Sequence, residues 1–316
     1  MKQLAVAVLA ALAAVLLLAF SGALFGHSPL SLLSTLASGS VGSRFALEGT
    51  LLKCVPLLLT GLSVVIAFRA GVWNIGGEGQ FIVGGLAALA AARFGAIASL
   101  AAAMLAGAAW ASLASAMRLW RNAPEVLTTI LLNFTAIHLL GWSVNGPMRE
   151  RAAQYPQSDL AAASLPKFAG PLLAVAASVF TWWLLYRTAE GLRLRATGFN
   201  PNAARWAGIN VRAQIVRAMA LSGAAAGLAG GIELLGVTHR LFERFAAGYG
   251  YSGIAVALLA QLHPLGSIAS ALFFGALVTG AGELQRAASI SAGVATFGQA
   301  VVILTLIVFE HVRARR

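Results

Sequence analysis

The glycine-rich polar segment Phe68–Gln80 is where side chains able to do chemistry concentrate in this sequence. It holds four glycines within nine residues, and Asn74, Glu78 and Gln80 lie among them. This glycine density breaks a helix directly after an apolar run. Irregular backbone at membrane depth must be buried in protein or line a wet cavity, and an ionisable group there is a functional candidate. The alternative interpretation is a solvated turn between two helices.

Glu78 is the acidic residue of this segment. A carboxylate among glycines can accept several backbone N–H bonds and hold an irregular segment rigid, so a structural role and contact with a solute both stay open. Asn133, Glu233 and Glu283 also interrupt apolar runs, where each either lines a pathway or joins two helices by hydrogen bonds. Glu233 has a further alternative, a position at the outer interface that needs no special role. For Asn133 the joining role is favoured, because a neutral amide is easily satisfied between helices. The residues that we predict along a substrate pathway are Asn74, Glu78, Gln80, Asn133 and Glu233.

A second segment, Glu190–Asn210, is basic and contains the signals of a short helix. Asn200 followed by Pro201 is a typical helix start, and Gly208 is a natural stop. The residues that share one face of this helix by their spacing are Ala203, Trp206 and Ala207. Two turns are not stable alone in water, so the helix must pack against this protein or a partner. The alternative is a basic loop that binds lipid head groups.

Sequence motifs for catalysis are missing. A Walker phosphate-binding loop ends in Gly-Lys-Ser/Thr, and none of the three lysines follows a glycine. The five histidines lack metal-ligand spacing, and the ten acidic residues are scattered. We therefore predict no enzyme activity, no metal and no cofactor. The net charge of +12 would suggest nucleic acid in a soluble protein, but arginines that flank membrane spans explain it better.

Long apolar runs surround these polar segments. Hydrophobic residues make up 59% of the chain, charged residues 10%, and the mean hydropathy is +0.83. A helix needs about 20 apolar residues to cross about 30 Å of hydrocarbon, and most of the runs suffice. We predict an all-α polytopic bundle of about ten spans, which suits the 34 glycines. The predicted spans are residues 4–25, 50–68, 79–93, 96–117, 126–145, 168–186, 217–237, 246–262, 265–282 and 290–310.

The distribution of arginines predicts the orientation of the bundle. Arg187–Arg217 is the longest strongly charged segment, and we expect it to be cytoplasmic together with both termini. Pro147–Lys167 is then extracytoplasmic. The apolar run after Lys2 also fits a secretory signal peptide, but the ten-span topology uses it as the first span. Residues 1–316 are predicted to form one transmembrane domain of the cell inner membrane, with the cytoplasmic loop at 187–217.

Four segments resemble the permeases of bacterial nucleoside importers, a group within the larger class of branched-chain amino acid and simple-sugar permeases. They occur in the order of that family, at 71–80, 124–134, 191–209 and 250–259. There are departures from its pattern. Trp73 stands where Phe is usual, and Ala260–His263 replaces a more polar stretch that contains glycine. Ser252 replaces an Asp, so the role of that carboxylate is not carried over.

The resemblance implies a ten-span permease of an ATP-binding-cassette importer. It implies three partner proteins: a second, related permease, an ATPase subunit that carries the nucleotide sites, and a substrate-binding lipoprotein outside the membrane. It identifies Asn200–Gly208 as the coupling helix that docks on the ATPase. The residues that it implies in coupling are Gly191, Leu192, Arg193, Arg195, Gly198, Asn200, Pro201, Ala203, Ala204, Trp206 and Gly208.

The predicted cargo is a small polar solute. The amides and hydroxyls of Asn74, Gln80, Asn133 and Thr128–Thr129 both donate and accept hydrogen bonds, which suits a neutral, hydroxyl-bearing molecule. The two charges of a free amino acid would be poorly compensated there. Nucleosides or simple sugars are therefore favoured over amino acids, and the resemblance selects nucleosides. The alternative from a different class is an ion-coupled secondary transporter, which needs buried charges for its ions and no docking helix.

Overall fold

The computed structural model describes residues 28–151, 155–288, 293, 297, 300 and 301. These residues form eleven α-helices and no strand, only two isolated bridges, which confirms the all-α prediction for this part of the chain. The helices are α1 (Pro29–Val41), α2 (Arg44–Arg69), α3 (Gly77–Ala91), α4 (Ala96–Arg121), α5 (Glu125–Asn145), α6 (Ala169–Arg187), α7 (Ala189–Phe199), α8 (Pro201–Trp206), α9 (Val211–Glu233), α10 (Tyr249–Leu259) and α11 (Gly266–Ala288).

Six of the described helices are long and apolar enough to cross a membrane: α2, α4, α5, α6, α9 and α11. They coincide with six of the predicted spans. Helices α3 and α10 have 15 and 11 residues. At 1.5 Å a residue they rise about 22 and 16 Å, which is less than the hydrocarbon thickness. The predicted spans at 4–25 and 290–310 lie outside the described residues, apart from four isolated positions, so the ten-span count stays a prediction.

Two long antiparallel helices, α2 and α9, form the centre of the bundle. Residues 54–67 of α2 are all buried. Helix α9 meets its neighbours backbone to backbone: a Cβ added to Gly223 would lie 2.2 Å from the Gly107 carbonyl oxygen of α4, and one added to Gly230 would lie 2.0 Å from the Phe81 carbonyl oxygen of α3. Small residues permit such close approach, which replaces the hydrophobic driving force between helices in lipid.

The described helices form two similar units that run in opposite directions, α2–α3–α4 and α9–α10–α11. In each unit a long helix is followed by an irregular segment, a short helix and a second long helix. Short helix α3 runs parallel to α9, with Gly84 against Gly227 and Ala88 near Gly231. Short helix α10 runs parallel to α2 in the same manner, since Tyr249 lies against Lys53 and Gly253 against Thr60.

Three glycine pairs with a common separation fall at corresponding places in the two units. The same separation along the chain relates Gly77 to Gly248, Gly79 to Gly250, and Gly95 to Gly266. The pairs fall at the starts of the short helices and at the starts of α4 and α11, where the backbone turns or another backbone approaches. The units α2–α4 and α9–α11 therefore have the arrangement of inverted structural repeats, which is common in transporters.

Two described helices were not predicted, α1 and α7. Thr188 caps the N-terminus of helix α7, where its hydroxyl accepts a hydrogen bond from the Gly191 amide at 3.0 Å. Its buried residues are Gly191, Leu194 and Thr197, a stripe too narrow to show in the apolar pattern of a basic loop. Packing against the end of α6 stabilises it, because a Cβ on Gly191 would lie 2.0 Å from the Leu184 carbonyl oxygen.

Candidate functional site

The N-termini of the short helices α3 and α10 meet inside the bundle. A Cβ on Gly250 would lie 2.0 Å from the Glu78 amide nitrogen, so only glycine fits there. Each helix N-terminus carries partial positive charge and unsatisfied N–H groups. Two such ends in contact need an acceptor between them. We call this contact and the side chains that satisfy it the junction.

Glu78 supplies that acceptor. One carboxylate oxygen accepts the Gly248 amide at 2.8 Å, and the other accepts the Gly250 amide at 2.7 Å. The side chain is 5% exposed. Because Glu78 is in the first turn of α3 and bonds the first turn of α10, one negative charge stabilises both helix ends. The carboxylate accepts backbone N–H bonds as predicted, but the donors belong to the second repeat rather than to its own glycine-rich segment.

Asn74 organises the segment that precedes α3. Its side-chain carbonyl oxygen accepts a hydrogen bond from the Gly76 backbone amide at 2.9 Å, and its side-chain amide nitrogen donates to the Ser222 hydroxyl of α9 at 2.7 Å. Gln80 closes the group with two amide–amide hydrogen bonds to Asn74, at 2.9 and 3.0 Å. The Ser222 hydroxyl in turn donates to the Ser63 carbonyl of α2 at 2.7 Å. The network fixes the broken segment to both central helices.

Asn133 ties α5 to the same junction. Its side-chain carbonyl oxygen accepts a hydrogen bond from the Gly79 backbone amide at 2.8 Å. Its side-chain amide nitrogen donates to the Ile75 backbone carbonyl at 2.9 Å and to the Tyr251 hydroxyl at 3.2 Å. The Thr129 hydroxyl accepts the Ile75 amide at 3.3 Å. Asn133 is fully buried, and its side chain joins one residue of each short helix to α5.

The basic segment after α6 forms an exposed short helix on an anchored base. The Asn200 side chain accepts the amides of Asn202 and Ala203, both at 3.0 Å, and Gly208 ends the segment with a φ of +79°. The cap and the stop are those expected from the sequence. Ala204 is buried, whereas Trp206 is 93% exposed. The face of α8 that bears Trp206 is therefore open to a partner.

Glu190 anchors α7 to the first turns of α9. Its carboxylate accepts hydrogen bonds from Arg217 at 2.5 Å, Gln214 at 3.0 Å and Arg193 at 3.2 Å. Burial alone would raise the pKa of Glu190, but these hydrogen bonds outweigh burial and lower it below its usual value. The carboxylate is therefore charged at neutral pH and holds the segment against the bundle.

The end of α7 touches the start of the broken segment. A Cβ on Gly198 would lie 2.3 Å from the Arg69 carbonyl oxygen and 2.7 Å from the Gly71 amide nitrogen. Gly71 itself has a φ of +72°, which favours glycine. The Arg69 guanidinium donates to the Leu262 carbonyl at 3.0 Å, just beyond α10. The end of α7, next to the exposed helix α8, is thus in direct backbone contact with the broken segment that leads to the junction.

Comparison with known proteins decides the family. Residues 46–309 match the family described as the permease component of branched-chain amino acid transport systems. The chain belongs to this permease family. The permease is 34% identical over 300 residues to the glucose ABC transporter permease protein TsgB13 of Haloferax volcanii, across 87% of this chain and 79% of that one. It is 31% identical over 307 residues to the guanosine ABC transporter permease protein NupP of Bacillus subtilis, across 88% and 86%.

A third relative is the nucleoside ABC transporter permease protein NupB of Lactococcus lactis, 29% identical over 283 residues, across 81% of this chain and 78% of that one. These similarities confirm the resemblance drawn from the four sequence segments. With six long apolar helices among its described residues, the permease is a multi-pass inner-membrane protein of the ABC transporter class.

The structure brings four of the five predicted pathway residues of the permease together at the junction: Asn74, Glu78, Gln80 and Asn133. Glu233, the fifth, is buried at the end of α9 and lies outside this group. Sequence reasoning missed Ser63 and Ser222, because a hydroxyl in an apolar run gives no signal. It also missed Lys53, although a lysine in the third turn of a 26-residue helix is a detectable signal.

Proposed function

We propose that this permease forms one half of the translocation path of a nucleoside importer, beside a second, related permease. A separate ATPase subunit hydrolyses ATP, and an extracytoplasmic substrate-binding lipoprotein delivers the solute. The observation that carries this proposal is α8, a capped two-turn helix that presents an exposed tryptophan and packs its opposite side on the bundle. An ion-coupled secondary transporter has no need of such a helix.

Nucleosides are the proposed cargo because NupP and NupB carry guanosine and nucleoside in their names and align with most of this chain. Sugars are the second candidate, supported by the similarity to the glucose permease TsgB13. The junction side chains form their hydrogen bonds with backbone groups and with one another. Their role in this proposal is to hold the two short helices rigid beside the path, while solute choice rests with the binding protein.

Ten spans with both termini in the cytoplasm remain the proposed topology. Helices α3 and α10 each complete a crossing with the irregular segment that precedes them, residues 70–76 and 239–248. The basic segment 187–217 lies in the cytoplasm. A cysteine placed at Asn202 in a Cys54→Ser background should react with an impermeant maleimide only after the cells are opened. Labelling from outside intact cells would contradict this orientation.

Uptake by a reconstituted complex tests the function. The permease, co-expressed with the genes beside it, should co-purify with an ATPase and a second permease. In proteoliposomes, with binding protein and ATP, labelled guanosine should accumulate, and glucose and leucine should not. Complexes without ATP provide the control. Uptake of glucose alone would move the solute assignment to sugars, and uptake driven by an ion gradient without ATP would contradict the importer proposal.

A further inference from the structure

The α9–α10 connection, residues 234–248, leads from the end of α9 into the N-terminus of α10 and the junction. It starts with a π-helical turn, Leu234–Thr238, and it holds His239 and Ala247 at φ angles of +54° and +48°. Positive φ is uncommon for residues with a side chain, and such conformations persist only where the surroundings determine them. The connection therefore depends on support from another part of the chain.

Residues 155–165, which we call the strap, supply this support. They belong to the link between α5 and α6, at the end of the bundle opposite the basic segment 187–217. Three strap amides donate hydrogen bonds to carbonyls of the α9–α10 connection: Ser158 to Leu241 at 2.9 Å, Ala161 to His239 at 2.9 Å and Leu165 to Leu235 at 2.8 Å. The strap therefore runs antiparallel to residues 235–241 and supports them along their length.

Glu150 joins the strap to the connection through its side chain. One carboxylate oxygen accepts hydrogen bonds from the Gln157 side-chain amide at 2.9 Å and from the Arg240 guanidinium at 2.6 Å. The Glu150 backbone amide also donates to the Gln157 carbonyl at 2.8 Å. Glu150 is 8% exposed, and a charge at that depth is unfavourable without its partner. A single carboxylate thus binds one residue of the strap and one residue of the connection.

The rest of the connection is held by α5 and by the junction. The Asn145 side-chain amide, at the end of α5, donates to the Glu243 carboxylate at 2.9 Å. The Gly248 amide donates to the Glu78 carboxylate at 2.8 Å. A shift of the connection relative to the strap would break several hydrogen bonds at once, and buried groups that lose their partners are strongly unfavourable.

We propose that Glu150 is a positioning residue that fixes the α9–α10 connection to the strap, and that the two keep one arrangement throughout the transport cycle. This inference rests on the proposed permease function. In the proposed topology the strap is extracytoplasmic, so the position of the α10 N-terminus is set from the outer surface. A change at that surface then reaches the junction through the connection.

Breaking the ion pair is the first test, in the complete reconstituted complex. Arg240→Gln leaves the Glu150 carboxylate without its cation, so the maximal uptake rate per assembled complex should fall at least about fivefold. ATP hydrolysis in the absence of binding protein should stay at the wild-type rate, because α7 and α8 lie at the other end of the bundle. General damage to the fold would lower both rates together.

A disulfide between the strap and the connection is the second test. Gln157 and Phe242 face each other across an antiparallel bridge, a spacing that suits a disulfide. In a Cys54→Ser background, Gln157→Cys and Phe242→Cys supply the two thiols of the chain. Oxidation with copper phenanthroline should leave uptake within twofold of the same protein reduced by dithiothreitol. With Arg240→Gln added, oxidation should raise uptake at least about threefold, because the covalent bond replaces the ion pair.

The matched control is Lys167→Met, which breaks an ion pair with Glu48 in the same link between α5 and α6 but outside the strap, and should leave uptake at the wild-type rate. The proposal is overturned by uptake of Arg240→Gln within twofold of wild type, by an equal loss of ATP hydrolysis, or by a disulfide that blocks transport or fails to rescue it. If Arg240→Gln does not assemble, Glu150→Gln is added to remove the unpaired charge, and this double variant takes its place in both tests.

A wild-type complex that takes up no solute counts against the proposed function and not against the strap. In that case the thermal midpoint of the detergent-purified permease carries the test. Arg240→Gln should lower the midpoint by roughly 3 °C or more, and oxidation of the two cysteines should restore most of the loss. A midpoint that responds to neither change would overturn the role of Glu150.

Discussion

Glu78→Ala should abolish uptake and lower the free energy of unfolding by about 1–3 kcal/mol or more, the cost of leaving one buried and one partly buried backbone N–H group without an acceptor. Those donors are the amides of Gly248 and Gly250. Two helix N-termini would then face each other with no negative charge between them. The measurements are the thermal midpoint of the purified permease and the uptake rate of the reconstituted complex.

Glu78→Gln removes the charge of the side chain but keeps its shape, so it separates the two effects. Both carboxylate oxygens accept N–H bonds, so a glutamine must turn its own NH₂ group toward one of the two donors. We therefore expect Glu78→Gln to be impaired as well, though less than Glu78→Ala. The control is Glu283→Ala, which removes a partly exposed carboxylate paired with Arg286 and should cost little. Normal uptake by Glu78→Ala would show that the junction needs no acceptor.

Gly198→Ala should lower uptake at least about tenfold while the ATPase stays bound, because the added methyl group forces apart two backbones that are in contact. Its Cβ would lie 2.3 Å from the Arg69 carbonyl oxygen, and neither backbone can yield as a flexible side chain would. The change breaks the fit between α7 and the broken segment without touching α8. The measurements are ATPase retention during purification, ATP hydrolysis and uptake.

Trp206→Ala gives the contrasting result. Trp206 is 93% exposed, so its removal leaves the fold intact but takes away the largest apolar group that a partner could bury, and ATPase retention should fall. Gly141→Ala is the matched glycine control, because a Cβ there meets no atom within 4 Å. Equal uptake by Gly198→Ala and Gly141→Ala would mean that transport does not depend on the contact between α7 and the broken segment at Gly71.

The glycine-rich segment shows what local sequence can and cannot predict. The break before α3 follows from backbone entropy and the positive φ that glycine allows, which are properties of the segment itself. That the Glu78 carboxylate accepts backbone N–H bonds was also predictable from its neighbours. The identity of the donors was not, since they lie in the other repeat and only the packing of α3 against α10 brings them within 3 Å.

The sequence by itself determined that the chain is helical, that it crosses a membrane, and that α8 begins at Asn200 and ends before Gly208. Hydropathy and capping are local, so each is visible in a short window. Only the tertiary structure decided that α3 and α10 are too short to cross alone, that their N-termini meet, and that Lys53 bonds the Tyr249 hydroxyl. These features depend on contacts between residues far apart in the chain, and an apolar run has the same hydropathy whether its helix spans the membrane or starts midway.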